Sequence, residues 1–380
     1  MLSIALVLDR FDPSGGGLER WAHQLGQYLI KAGYKVHVIT FDFREPVNSG
    51  LVFHRLPKFS SRLARAEAVE KFLKQLKVDI VHDMGVGWSF DILQPHAGSK
   101  LANYHHDLRS QSFWERLKRQ LSPSYLRWYS EIRILERRQY TSSKGLFIAV
   151  SKMVQTHLQW YHKVDPGRVR VVYNGVDVSR FSLKHRETHR AQIRKNLGLE
   201  QEVLFLFVGN NFRLKGLRTA LEAMRLFKKD HLHAHLAIVG GGPIEHYRNI
   251  AKRLGVEELT TFCGFIEDPI PYYMAADVFI HPTFYDACSL VVLEAWASGL
   301  PLITTRFNGA GELMTPGIHG FLMGDPKDAE QLAIRMRSLL DPSLRSNMAE
   351  KAYALSLSQS AEKNFQGIEK VYKEISRASK

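Results

Sequence analysis

Apolar residues along this chain fall into short runs separated by stretches with helical spacing, and the alternation occurs twice. In the first half the runs occupy 2–8, 36–40, 51–56, 79–82, 91–94, 145–150 and 169–173. Between them, 18–32 and 63–76 repeat apolar positions every three or four residues, the spacing of one helix face. A second cycle opens at 203–209, where Val203-Leu-Phe-Leu-Phe-Val-Gly209 is apolar without a break, and returns at 236–240, 278–281 and 302–304. Unbroken apolar strands alternating with helices belong to parallel sheets covered on both faces. Turn residues at 173–181 separate the two cycles. The pattern predicts an α/β chain of two doubly wound, Rossmann-like domains facing a cleft. These are an N-terminal domain over 1–173, a C-terminal domain over 174–359, and a last helix over 360–380 that can pack back on the first. Such folds bind ligands at the carboxyl ends of their strands.

One strand-to-helix junction carries two carboxylates. After the apolar run at 277–282 comes Asp286-Ala-Cys-Ser-Leu-Val-Val-Leu-Glu294. Ser289 reads as an N-cap, Gly299 as a C-terminal stop and Pro301 as a block beyond it. Asp286 then lies in the loop above the sheet, and Glu294 in the second helical turn. Between them a helix N-terminus offers unsatisfied N–H groups and its positive dipole end. That arrangement suits a sugar nucleotide, with hydroxyls on the carboxylates and phosphate on the helix end. It equally suits a capped helix with a solvent-facing Glu, and the residues alone leave both open.

Composition narrows the class. At 380 residues the chain is too long for one ordinary core, and 45% hydrophobic with 24% charged residues describes a globular protein. The apolar start at 2–8 has no basic region before it and reads as a first strand, not a leader peptide. No run of about 18 apolar residues occurs. Cys263 and Cys288 are too few for a disulfide framework or a zinc site, which fits a reduced cytoplasm. The net charge of +14 implies an anionic partner: nucleotide phosphates, nucleic acid or a lipid surface.

Several loops add candidate chemistry. Pro13-Ser-Gly-Gly-Gly-Leu-Glu-Arg20 joins the first strand to a helix, so backbone at Gly16 and Gly17 can approach an anion. The spacing is not Gly-x-Gly-x-x-Gly, and no acidic residue closes the next strand, which gives a nicotinamide-dependent oxidoreductase little support. Arg213 and Lys215 precede the helical segment 217–227, at the end where cations are electrostatically unfavourable, which suits an anionic ligand there or two solvated side chains. His96 follows an apolar run in a Pro- and Gly-containing loop, where it can hydrogen-bond a substrate, move a proton or, as one of 17 histidines, serve no more than the fold. Segment 100–144 interleaves basic residues with Trp114, Tyr125, Trp128, Tyr129 and Tyr140. It suits an anionic membrane surface, an acidic acceptor or nucleic acid. No Asp-x-Asp pair stands ready to hold a metal on a diphosphate.

Taken in order, these features resemble the family 4 glycosyltransferases of GT-B fold. The resemblance runs over most of the chain. It is carried by the first glycine loop, Tyr173-Asn-Gly-Val-Asp177, Val208-Gly-Asn-Asn-Phe-Arg-Leu-Lys-Gly216, Ile238-Val-Gly-Gly-Gly-Pro243, and Tyr285-Asp-Ala-Cys-Ser-Leu-Val-Val-Leu-Glu-Ala295 with Gly299-Leu-Pro301. Phe212-Arg-Leu-Lys-Gly216 and the Cys288-Ser-Leu290 variant are most similar to the branch that adds glucose to heptose of the lipopolysaccharide core. The resemblance implies a retaining, metal-independent hexosyltransferase. It would move glucose from a UDP-sugar to a lipopolysaccharide-core or other glycolipid acceptor, in the cytoplasm at the inner face of the membrane. By motif, Glu294 holds the ribose, Asp286 faces the donor sugar, and the amides of Ser289, Leu290 and Val291 meet the diphosphate. Lys215 with Arg213 neutralises the leaving phosphate. Gly16 and Gly17 approach the donor from the other domain, His96 contacts the sugar, and Phe265-Ile266 backbone flanks the base. Two positions depart from the family pattern: Asp286 stands where Glu is usual, and Asn210 where Arg is usual. A catalytically silent sugar-nucleotide-binding protein and a basic nucleic-acid-binding protein are the other classes these residues allow.

Overall fold

The computed structural model describes residues 2–13, 15–44, 49–142, 144–230 and 233–378. Ser14 of the first glycine loop, Ser143 of the basic segment and residues 379–380 of the last helix lie outside them. The chain divides into two compact units. One comprises Met1–Tyr173 with Glu362–Lys380, the other Asn174–Ala361.

Among the described residues the first unit contains strands β1 (Ser3–Val7), β2 (Arg10–Phe11), β3 (Lys35–Thr40), β4 (Asp42–Phe43), β5 (Val52–Arg55), β6 (Ile80–Asp83), β7 (Ile92–Leu93), β8 (Leu146–Ala149) and β9 (Val169–Val171). Seven form one sheet in the order β5-β3-β1-β6-β7-β8-β9, and β2 pairs with β4. Every pairing is parallel. The seven apolar runs of the first half are its seven strands. β1 is buried through Ile4–Val7, as a central strand with both faces covered must be.

The second unit holds β10 (Val203–Val208), β11 (Ala234–Val239), β12 (Thr260–Gly264), β13 (Val278–His281), β14 (Leu302–Thr305) and β15 (Gly320–Met323), in the order β12-β11-β10-β13-β14-β15, again parallel. Periodicity marks β10, β11, β13 and β14 and passes over β12 and β15. Those two are the sheet edges, and most of their residues are only partly buried, so they need no continuous apolar run. Phe205, Phe207, Leu217, Leu221, Met224, Leu236 and Ile280 pack the core of this unit.

Both sheets are wound outward from a central strand and then restart on its other side. The order therefore reverses between β1 and β6, and between β10 and β13. Ligands bind beyond the carboxyl ends of strands at such a reversal, because the two adjacent loops splay apart there.

The helix Ala361–Ala378 is built into the first unit. Trp21 Nε1 donates to Asn364 Oδ1 at 2.9 Å, Asn364 Nδ2 donates to the Tyr173 carbonyl at 2.6 Å, and Tyr372 Oη meets His82 Nδ1 at 2.7 Å. The charged stretch ahead of β10 is also helical, over Arg186–Leu197. Its Arg190 and Arg194 reach Asp277 at 2.8 and 3.4 Å, and Asp277 in turn accepts the Leu204 N–H at 2.8 Å.

Candidate active site

The loops after β10 and β13 flank the reversal in the second unit, and each delivers one member of an ion pair. The loop 209–216 makes a compact turn, with Lys215 N–H on the Asn211 carbonyl and Gly216 N–H on the Arg213 carbonyl. Gly216 has φ +80°, and a Cβ there would lie 2.0 Å from the Pro282 carbonyl oxygen. Only glycine allows the two loops to pass this closely. Phe284 N–H and Thr283 Oγ1 then both donate to the Leu214 carbonyl, at 2.8 and 3.0 Å. Clamped in this way, Lys215 Nζ lies 2.5 Å from Asp286 Oδ2, with the two side chains 20% and 17% exposed.

His281, the last residue of β13, is fully buried, and its Nε2 lies 3.4 Å from the same Asp286 oxygen. Burial favours the neutral Asp286 carboxyl, but the Lys215 charge and the His281 hydrogen bond outweigh it and hold the group well below the usual carboxylate range. Burial and the Lys215 charge depress His281 more than Asp286 raises it. A neutral imidazole beside an ionised carboxylate donates from Nε2, which leaves Nδ1 as the lone-pair nitrogen. Backbone fixes Asp286 as well: its N–H bonds the Phe307 carbonyl at 2.9 Å, and its carbonyl accepts Gly309 N–H at 2.8 Å.

Ser289 occupies the N-cap position of the helix Leu290–Ala297, as its sequence position implies, but its side chain makes no capping bond. Its hydroxyl is buried with no protein partner among the described residues. Asn308 Oδ1 reaches the Ser289 N–H at 3.4 Å and the Ala310 N–H at 3.1 Å. The amides of Leu290 and Val291 belong to the first turn, where no residue of the helix itself can accept from them. The helix is apolar almost all round and buried through Val292, Leu293, Ala295, Trp296 and Ala297, which holds its N-terminus rigidly. Gly299, at φ +66°, terminates it. Glu294 is half-buried rather than solvent-facing, and its Oε2 accepts the Tyr273 hydroxyl at 3.0 Å.

The other expected residues of this unit lie on adjoining loops. Arg213 is exposed on the 209–216 turn, and it is Lys215 that takes the Asp286 contact. Asn210 Oδ1 accepts Gly241 N–H at 2.9 Å, tying the loop after β10 to the loop after β11. Phe265 and Ile266 follow β12, Phe265 exposed and Ile266 half-buried.

In the first unit Gly16 is the N-cap of the helix Gly17–Lys31 and makes no side-chain cap, so the first amides of that helix are likewise open to a ligand. His96 follows β7, with its ring 4.0 Å from the Trp21 ring and its Nε2 without a protein partner among the described residues. Burial, with His82 nearby, pushes its pKa down to about 3, so it is a neutral hydrogen-bonding group. Gln94 is fully buried, and its side chain interacts with His82 without reaching good hydrogen-bond geometry.

Sequence reasoning missed His281, Tyr273, Asn308 and Gln94. For Gln94 a signal existed, because a polar side chain ending an apolar run is a candidate for a strand's carboxyl edge. Tyr273 and Asn308 lie 21 and 22 residues from the groups they support, Glu294 and Asp286, and no spacing rule links them.

Comparison with known proteins decides the family. Residues 15–180 match the model described as Glycosyltransferase Family 4, and residues 202–342 the one described as Glycosyl transferases group 1. The chain belongs to the family 4 glycosyltransferases. It is 26% identical to an uncharacterized glycosyltransferase, MJ1607, of Methanocaldococcus jannaschii over 87% of each chain. It is 28% identical to the lipopolysaccharide glucosyltransferase WaaG of Escherichia coli over 59% of this chain and 61% of that one, so the alignment spans about three fifths of that relative. In structure the glycosyltransferase is similar to WaaG, with a TM-score of 0.79, 23% identity and coverage of 96% and 97%. It is also similar to Anabaena HepE solved with UDP and glucose, with a TM-score of 0.76, 17% identity and coverage of 98% and 100%. The likeness establishes the GT-B fold, each unit Rossmann-like. The family activity is glycosyl transfer from a nucleotide sugar.

Proposed function

We propose that this glycosyltransferase moves glucose from UDP-glucose to a lipopolysaccharide-core or other glycolipid acceptor, with retention at the anomeric carbon and without a metal ion. The observation that carries the donor site is the convergence of Lys215, Asp286 and an uncapped, rigid helix N-terminus at the strand-order reversal of the second unit. The solution of HepE with UDP and glucose, and the sequence likeness to WaaG, support the choice of sugar and nucleotide.

In this reading the diphosphate meets the amides of Ser289, Leu290 and Val291. Lys215 directs one of its three N–H donors to Asp286 and a second, more weakly, to the Tyr285 carbonyl at 3.5 Å, and turns the third to phosphate oxygen. Arg213 adds charge from the exposed side of the same turn. Charge grows on the leaving oxygen as the anomeric C–O bond breaks, and fixed cations and amides stabilise that charge more than the ground state. The acceptor hydroxyl forms the new C–O bond from the face the diphosphate leaves, and its proton passes to a phosphate oxygen. The products are the glycoside and UDP, and no protein general base is needed. Glu294 takes the ribose hydroxyls, Phe265-Ile266 backbone flanks the base, and Asp286 orients the sugar. In the first unit the same reading gives Gly16 and Gly17 as donor-binding backbone and His96 as a sugar-contacting group.

The helices Phe113–Gln120 and Pro123–Thr141 support a glycolipid acceptor met at a membrane surface. Phe113 and Trp114 are 68% and 74% exposed, Leu117, Leu121 and Leu126 are exposed too, and Arg116, Lys118 and Arg127 lie among them. Aromatic and basic side chains on one exposed helical surface suit the interface of an anionic bilayer. No helix among the described residues is long and apolar enough to cross a membrane, so this surface would lie on it.

A panel of UDP-, GDP- and ADP-sugars, scored for transfer, for hydrolysis and for protection from thermal unfolding, tests the proposal. Transfer from UDP-glucose that survives EDTA is expected. UDP binding with no turnover of any donor would establish a silent nucleotide-sugar-binding protein instead.

A further inference from the structure

The first unit contains a cavity of about 370 Å³ that the donor chemistry does not use. It is bounded by the helices Lys100–Arg109, Pro123–Thr141 and Lys152–His162. That volume is in the range of small-ligand sites, roughly 300–1,000 Å³.

Its charge is lopsided. Arg133, Arg137 and Lys163 line it, all exposed, and none of the three makes an ion pair among the described residues. Arg133 and Arg137 stand four residues apart on one helix, where like charges are neighbours and repel. The one carboxylate in the wall, Glu136, is buried and already engaged: it accepts Lys100 N–H at 2.5 Å and Leu101 N–H at 3.1 Å. Its charge is directed at that helix N-terminus and not at the cavity mouth.

Lys163 adds a second, independent oddity. It is the C-cap of its helix at φ 58°, the one non-glycine with positive φ among the described residues. At the equivalent caps the chain uses Gly198 and Gly255. A side chain at such a position strains the backbone, and glycine would relieve it.

The rest of the wall is largely aromatic. Tyr140 stacks on His162 with centroids 4.1 Å apart and an interplanar angle of 27°, and Tyr161 also lines the cavity. His162 is held by Ser99 Oγ at 2.9 Å. Burial keeps it neutral, so it neither repels nor attracts an anion.

We propose that this cavity is a phosphomonoester site: Arg133, Arg137 and Lys163 clamp the phosphate, and the tyrosine wall receives the body of the molecule that carries it. Arg presents a planar fork suited to phosphate oxygens, and Lys supplies a point charge. The phosphate can come from a free sugar phosphate or from a lipid headgroup, and the test separates the two.

The full chain is titrated calorimetrically with glucose 6-phosphate and with dihexanoyl phosphatidic acid below its micellar concentration. The comparison is with the double variant Arg133→Ala/Arg137→Ala and with Lys252→Ala/Arg253→Ala, which removes two exposed cations of the second unit that line neither site. At least a tenfold loss of affinity is expected in the first variant and no change in the second. Binding of glucose 6-phosphate identifies a free sugar phosphate as sufficient, and binding of the lipid alone identifies a headgroup site. Lys163→Gly provides a readout that a structural role would not give: binding weakens while the melting temperature rises. Failure of both probes to bind the native chain, or equal affinity in the Arg133→Ala/Arg137→Ala variant, overturns the proposal.

Discussion

Lys215 Nζ and Asp286 Oδ2 lie 2.5 Å apart although 71 residues separate them in the chain. The pair joins the loops on either side of the strand-order reversal, so it couples two halves of the donor site as well as supplying charge. Lys215→Ala is expected to lower turnover by about 10²–10³, the scale on which one stabilising donor at a developing oxyanion contributes. It also leaves a half-buried carboxylate without its cation. A thermodynamic cycle with Asp286→Asn should return a coupling of about 1.5–3 kcal/mol, measured by urea unfolding. Independent, additive effects on stability would show that the contact carries no energy.

Glu294 and Tyr273 give a different signature. Tyr273 fixes the carboxylate through a 3.0 Å bond, one helical turn below the amides assigned to phosphate. A group that holds the ribose binds ground state and transition state alike. Glu294→Gln should therefore raise the donor KM by about tenfold with kcat little changed. Tyr273→Phe should move KM in the same direction and by less. A fall in kcat at constant KM in either variant would assign Glu294 to the chemical step.

Buried histidines set the acid limit of the fold. His82 is completely buried, and burial, against a favourable contact from Gln94, pushes its pKa down to about 3. Between pH 6.5 and 3 the unfolded chain takes up a proton at this residue and the folded chain does not, so stability falls as pH falls. Taking pH 5 against pH 7, His82 accounts for about 2 kcal/mol of loss. Asp83 acts in the opposite sense. Burial raises it to about 6 despite its backbone hydrogen bonds, so the folded state takes up the proton first and regains about 1 kcal/mol over the same interval. The Asp286 carboxyl, held low, keeps its contribution throughout this range and loses it only below about pH 4. The loss of stability between pH 7 and pH 5, from urea unfolding, should be smaller in His82→Asn than in the native chain by about 2 kcal/mol, while His96, also pushed down to about 3, keeps a similar share. An unchanged difference would remove His82 as the cause.

The exposed aromatic surface can be tested apart from catalysis. Phe113→Ser/Trp114→Ser should weaken binding to phosphatidylglycerol vesicles by at least about tenfold, since each buried aromatic contributes about 1.5–3 kcal/mol. Neither side chain is buried, so stability should hold. Vesicle binding should also fall steeply with salt. Co-sedimentation with equal affinity for both proteins would place the membrane contact elsewhere.

Legibility of this protein divides along local and long-range lines. Central strands such as β1 and β10 were legible because both faces are covered and the whole run must be apolar. The edge strands β12 and β15 were not, because Thr260, Thr261 and Gly320 keep their apolar runs short. The order of motifs also pointed to the family, since glycine loops and helix starts are local features. Asp286 and Glu294 could be placed on loop and helix from spacing alone. Their partners could not: His281, Asn308 and Tyr273 reach them through register and packing, which periodicity does not encode.

What the sequence determined by itself was the kind of chain: two α/β cycles, a helix N-terminus between two carboxylates, and a family pattern with Asp286 and Asn210 as departures. Only the tertiary structure decided that Lys215 closes on Asp286, that Ser289 leaves its helix uncapped, and that the last helix completes the first unit. The physical reason is the range of the forces involved. Burial pattern and turn chemistry act within a few residues, whereas an ion pair across 71 residues forms only after the parallel sheet has set which loops are neighbours.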